Sequence, residues 1–145
     1  MKKYQKIIIG IDGSEEAEKA FEKAVDISLR NDAELVLANI IDLRIYQSIT
    51  SYGSSTLAQD TEKSAEKLMQ IYLDKAKERG LEKVKVRVEF GSPKTMLGQT
   101  LPNEEKADLI LLGSTNLSDV ERFFIGSVAN YIINHAPCDT LIVRP

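Results

Sequence analysis

An open parallel α/β sheet is expected from three features of this 145-residue chain. Short branched apolar runs (KIIIGID, ELVLANII, ADLILLG and TLIVR) are brief enough for strands and, for the most part, apolar on both alternating faces. Longer segments with apolar residues at helical spacing lie between them. The two kinds alternate, and that order forces parallel strands joined by right-handed crossovers, with helices on both faces of one sheet.

The first strand spans Lys6 to Asp12, a buried run that ends in glycine and polar residues. Ser14 is then placed to cap a helix, with Glu15 and Glu16 in the first turn where the macrodipole favours acids. From Ala17 to Leu29, the residues Ala17, Ala20, Phe21, Ala24, Val25, Ile27 and Ser28 form one apolar or small face. Glu34 to Ile41 is the second strand. The following DLRIYQSITSYGSSTLAQD has little periodicity and reads as a long excursion or lid, whose serines and threonines could accept phosphate. Asp60 to Arg79 returns to helix, with Ala65, Leu68, Met69, Tyr72, Leu73 and Ala76 on one side and Gly80 as the stop.

VKVRVEF, Val84 to Phe90, alternates valines with charges, the pattern of a half-covered strand near a sheet edge. Gly91-Ser92-Pro93 turns the chain into a helix through Glu105, with an end or kink expected near the interior Pro102. ADLILLG is the fourth strand, Ser127 to Ala136 the last helix and TLIVR the final strand. The result is one domain over residues 1–145: an open, twisted, Rossmann-like parallel sheet of five strands.

Composition narrows the function. Hydrophobic residues at 43%, charged residues at 28% and a net charge of -3 describe an ordinary soluble protein, not one that neutralises nucleic-acid phosphates with a broad basic face. Cys138 is the sole cysteine, which excludes an intramolecular disulfide and a multi-cysteine metal site. The apolar run after the first lysines is too short for a signal-peptide core or a membrane span, so the cytoplasm is the expected location, with no membrane partner.

In such sheets ligands bind beyond the carboxyl ends of the strands, where strand order reverses. GIDGS, NIID and GSTN lie at strand ends and converge there. Gly113 permits a close backbone turn. Gly126-Ser127 opens a helix, whose free N–H groups and dipole attract anions. The same residues also serve plain structural roles, a strand turn and a helix cap, and the pattern alone leaves both readings open. Asp12 is placed either for ribose hydroxyls or for the N–H groups of its own turn, the second being favoured by the residues themselves. A phosphoacceptor role for Asp12 fails because the last strand, TLIVRP, offers no lysine. His135 reads as a dipole partner at a helix end, Cys138 as structural, and no GxSxG elbow is present, so neither a catalytic residue nor a metal ligand is expected.

Over essentially its whole length the chain resembles the universal stress protein family of the UspA type. The resemblance is carried by IIIGIDGSEEAEKAFEKAV, ELVLANIID, EFGSPKTML and, most specifically, EKADLILLGSTNLSDVERFFIGSVANYIINHAPCDTLIVRP. ATP-binding members of that family carry GxxGx9G followed by Ser or Thr, and Gly113 and Gly126-Ser127 stand at that separation. The resemblance implies an adenine-nucleotide alpha hydrolase-like fold and a cytoplasmic regulatory stress-response protein with at most weak ATPase or autophosphorylation activity. It implies ATP held between Gly113 and Ser127, with Mg2+ or Mn2+ reaching the site through the phosphates. Ile11 and Asp12 would face ribose or base, and the main chain of Ile40 would meet adenine. Gly113, Thr115, Asn116, Gly126, Ser127 and Val128 would surround ribose and phosphates. The departure is Asn116, which stands where the pattern has its second glycine; asparagine tolerates positive φ, but an inward amide would occupy phosphate space. The resemblance also implies a homodimer through the C-terminal strand, and it admits an alternative, a nucleotide-independent dimeric interaction module.

Overall fold

The computed structural model describes residues 3–42, 55–114 and 126–144, with side chains from residue 59 onward in the second stretch. The elements are β1 (Lys6–Gly10), α1 (Glu15–Asn31), β2 (Glu34–Asp42), α2 (Ser55–Glu78), β3 (Val84–Gly91), α3 (residues 93–105), β4 (Leu109–Gly113), α4 (Ser127–His135) and β5 (Asp139–Val143). All strand pairs are parallel, in the order β3-β2-β1-β4-β5. The chain winds outward from β1 to β3, returns to place β4 on the other side of β1, and winds outward again. Strand order therefore reverses between β1 and β4.

Alternation along the buried strands builds two cores. Ile7 and Ile9 of β1 and Leu35 and Leu37 of β2 point to the face covered by α1 and α2, where Phe21, Val25, Met69 and Tyr72 pack. Ile8, Val36 and Ile110 point to the opposite face, against Leu97 and Leu101 of α3 and Ile132 of α4. On the first face Phe21 and Tyr72 meet edge to face with ring centroids 4.9 Å apart. Helices cover both faces, as the alternation of elements requires.

One expectation needs correction. The helix expected to begin at Asp60 begins at Ser55, so STLAQ belongs to α2 and not to the excursion. No glycine or proline interrupts that stretch, and its residues carry no barrier to helix. α3 reaches Glu105 as expected, and of the end or kink expected near Pro102 the structure has no end but a change of helix type just before it. It runs as Pro93–Thr95, a wide π turn at Met96–Thr100, and Leu101–Glu105. In the wide turn the Leu101 N–H bonds to the Met96 carbonyl, five residues back. Pro102 then falls at the start of a fresh α turn, where its missing N–H costs nothing.

β3 lies at the sheet edge, as its alternation predicts. Val84, Val86 and Val88 pack toward α2, while Lys85 and Arg87 reach the other face. There the buried carboxylate of Glu105, from the end of α3, meets Lys85 at 2.7 Å, Arg87 at 3.0 Å and Lys6 at 3.4 Å. Burial acts to raise the pKa of Glu105, but hydrogen bonds from Lys85, Arg87 and Lys6 outweigh it, and the net direction is downward. This cluster ties α3 to β1 and β3.

Candidate functional site

After β1 the chain turns to the face of α1, and after β4 it continues toward α4 on the opposite face. The two strand ends part, and a cavity of about 470 Å³ opens between them, a volume in the range of small-ligand sites. GIDGS, Ile40 and Gly113-Ser114 all reach its wall, as their strand-end positions predict, with the exception of Gly13.

The β1 side is built first by backbone. The Ile11 N–H donates to the Ala38 carbonyl at 2.8 Å, and the Ile11 carbonyl accepts from the Asn39 side-chain amide at 2.9 Å. Asn39 was not singled out above, although a lone amide inside the apolar run ELVLANIID is a legible signal. Asp12 Oδ1 accepts from the Ser14 N–H at 2.9 Å, and Ser14 Oγ accepts from the Ala17 N–H at 3.2 Å. Ser14 is thus the α1 cap, and Asp12 has the turn-stabilising role while also lining the cavity.

On the β4 side Gly113 has a reason the sequence does not display. A Cβ at this position would lie 2.4 Å from the Glu16 carbonyl oxygen and 2.5 Å from its carbon, so β4 and the first turn of α1 touch backbone to backbone. Ser114 follows. Its N–H donates to the Val143 carbonyl of β5 at 2.9 Å, and its Oγ is buried at the cavity wall with no hydrogen-bond partner among the described residues. Sequence reading passed over Ser114, though its place directly after a strand-end glycine marks it.

Opposite lies the start of α4. Its cap, Gly126, supplies no side-chain acceptor to the first-turn N–H groups, which lie at the positive end of the helix. Val128 and Ala129 line the cavity, while Gly126 and Ser127 precede them at the helix start, off the wall. Thr115, Asn116 and the Ser/Thr-rich residues 43–54 lie outside the described residues. The cavity floor is apolar, formed by Ala38, Ile40, Leu97 and Leu112.

The remaining candidates sit elsewhere. His135 Nδ1 lies 2.9 Å from the Tyr131 carbonyl in the last turn of α4, and its ring stacks on Tyr131, consistent with a helix-end partner. Cys138 is half-buried at the opposite end of the sheet. Burial first, then the nearby Asp108 and Asp139, push its thiol up to about 11. Among the described residues no helix is long and apolar enough to cross a membrane.

Fold and crevice together define a doubly wound α/β protein with a cavity at the switch point of the sheet. The chain belongs to the Universal stress protein family, whose family model matches residues 3–144. A Staphylococcus haemolyticus relative named for the same family is 49% identical over 144 residues, which cover 97% of this chain and 85% of that one. UspA from Lactobacillus plantarum superposes with a TM-score of 0.83 at 25% identity, covering 99% of this chain and 100% of the other. A universal stress protein solved in complex with cAMP superposes with a TM-score of 0.76, also at 25% identity, covering 99% of this chain and 98% of that one.

Proposed function

We propose that this protein binds ATP in the cavity between β1 and β4 and acts in the cytoplasm as a nucleotide-responsive regulator of the stress response. One observation carries the reading: an apolar floor, a helix N-terminus capped by a glycine and the Ser114 hydroxyl, unpaired among the described residues, meet in one cavity of ligand size. The base lies against Ala38, Ile40 and Leu97, the ribose toward Ile11 and Asp12, and the phosphates toward Gly113, Thr115, Asn116 and the Gly126-Ser127-Val128 start of α4. Mg2+ or Mn2+ enters with the phosphates, whose charge it neutralises. The relative in complex with cAMP supports an adenine nucleotide as the ligand class. No residue is assigned to catalysis.

The test is direct. Freshly purified protein is denatured and the supernatant chromatographed for adenine nucleotide, and stripped protein is titrated calorimetrically with ATP and Mg2+. Release of nucleotide, or heat with a matching rise in melting temperature, is the expected result; absence of all of these refutes the proposal. Asn116→Gly is expected to tighten binding.

The edge strand favours a second element of the reading. β5 ends the sheet with Leu141, Ile142 and Val143 only half-buried, and a two-fold pairing through β5 would cover them. Light scattering on nucleotide-free protein is expected to give a dimer mass. A dimer that binds no nucleotide would favour the nucleotide-independent interaction module.

A further inference from the structure

The β1–β2 ladder stops at Gly10 opposite Ala38, although β2 itself runs on to Asp42. The direction of the main chain shows what that stop leaves behind. Even-numbered residues of β2 address the β1 side: the Glu34 N–H donates to the Gln5 carbonyl at 2.9 Å, and the Ala38 carbonyl accepts from the Ile11 N–H at 2.8 Å. Odd-numbered residues address the β3 side, as the Leu35 N–H does in donating to the Lys83 carbonyl at 2.8 Å. By the same alternation the N–H and carbonyl of Ile40 point to the β1 side, where Ile40 lines the cavity.

One more rung would run from the Ile40 N–H to the Ile11 carbonyl. The ladder does not include it. The Ile11 carbonyl accepts instead from the Asn39 side-chain amide at 2.9 Å, and because a carbonyl only accepts, the atom turned toward it is Nδ2. Ile11 is buried, so its carbonyl needs a donor, and a residue at position 39 without one would leave the Ile40 N–H as the main-chain donor in register to replace it. The strands would then zip one rung further, into the cavity wall. We propose that Asn39 is a positioning residue: its amide takes the place of the Ile40 N–H at the Ile11 carbonyl, stops the ladder one rung early and keeps the Ile40 main chain available to the base of a bound nucleotide. The ligand half of this proposal rests on the nucleotide reading above; the ladder stop does not.

The experiment pairs amide hydrogen exchange, followed by NMR on isotope-labelled and nucleotide-stripped protein, with calorimetric titration of ATP in Mg2+. It is run on the wild-type chain and on Asn39→Val and Asn39→Leu, with thermal melts confirming that each variant folds. In free wild-type protein the Ile40 amide is expected to exchange about tenfold or more faster than that of Ala38, which the ladder holds, and to slow when ATP is added. In the variants the Ile40 amide should slow to the Ala38 level without ligand, while ATP binds about tenfold or more weakly. Because the new rung replaces the lost bond, their melting temperatures should stay within about 4 °C of wild-type. A plain structural bond would behave otherwise, lowering the melting temperature and leaving the affinity of the folded protein alone. Folded variants that bind ATP within about threefold of wild-type therefore overturn the role of Asn39, as does an Ile40 amide in free wild-type as protected as that of Ala38. Should wild-type bind no ATP while its Ile40 amide exchanges as expected, the nucleotide reading falls and takes the ligand half of this proposal with it, an outcome separate from the other two. If neither variant folds, the wild-type exchange rates decide.

Discussion

Gly113→Ala is the sharpest probe of how the site is assembled. The added methyl would sit 2.4 Å from the Glu16 oxygen, 2.5 Å from the Glu16 carbonyl carbon and 2.9 Å from the Ala17 nitrogen. All three atoms belong to one peptide plane. No rotamer change relieves a clash with backbone, so the first turn of α1 must move by roughly 0.6 Å to bring the oxygen contact alone out to 3.0 Å. That turn also carries Ala17, which is buried, and the Ser14 cap hydrogen bond, so the shift propagates into the core between α1 and the sheet. Overpacking of this kind costs about 3 kcal/mol, the upper part of the usual range, because the obstacle is main chain. For a domain of this size the cost corresponds to a drop in melting temperature of roughly 6–12 °C. Guanidinium unfolding followed by circular dichroism measures it, with the denaturant slope as a check that two-state behaviour holds. A variant within about 0.5 kcal/mol of wild-type would refute the packing argument. The result also governs the reading of binding data: weaker nucleotide binding by this variant would report a displaced α1 as readily as a lost phosphate contact.

Glu105→Gln removes the carboxylate shared by Lys6, Lys85 and Arg87 and is expected to cost about 1–2 kcal/mol at neutral pH, less than a fully buried pair because the cations are partly exposed. The folded-state pKa of Glu105 lies below its unfolded value, so its contribution is complete above the unfolded value near 4.5 and is lost as pH falls through the folded one. The stability difference between wild-type and variant, measured by urea melts at stepped pH, should therefore hold at neutral pH and shrink below about pH 4.5. Cys138, with its thiol raised to about 11, should react with iodoacetamide at pH 8 about 30-fold or more slowly than an unhindered thiol, and faster on unfolding. Labelling of the native chain at the free-thiol rate would contradict that environment.

Much of the architecture is legible in the chain because it rests on local periodicity. KIIIG and ELVLANIID need both faces covered, the α1 sequence shows one apolar stripe, and VKVRVEF shows the alternation of an edge strand; each pattern is a burial demand written in neighbouring residues. The strand-end stretches could be assigned to one crevice for the same reason, since parallel order puts their carboxyl ends together. The wide turn before Pro102 was not legible, because a proline marks only that an N–H is missing and the surrounding helix decides how to do without it.

Element order, the alternation of faces, the Ser14 cap and the position of the crevice thus follow from the amino-acid order alone. Docking decided the rest: that Gly113 is a glycine for the sake of the Glu16 backbone, that the Ser114 hydroxyl has no partner among the described residues, and that Glu105 gathers Lys6 and Lys85. The physical reason is one of range. Periodicity records which face of an element leaves water, a property of adjacent residues. Contact between residues about a hundred positions apart depends on where packed helices and strands come to rest, to within a fraction of an ångström, and no local pattern encodes that distance.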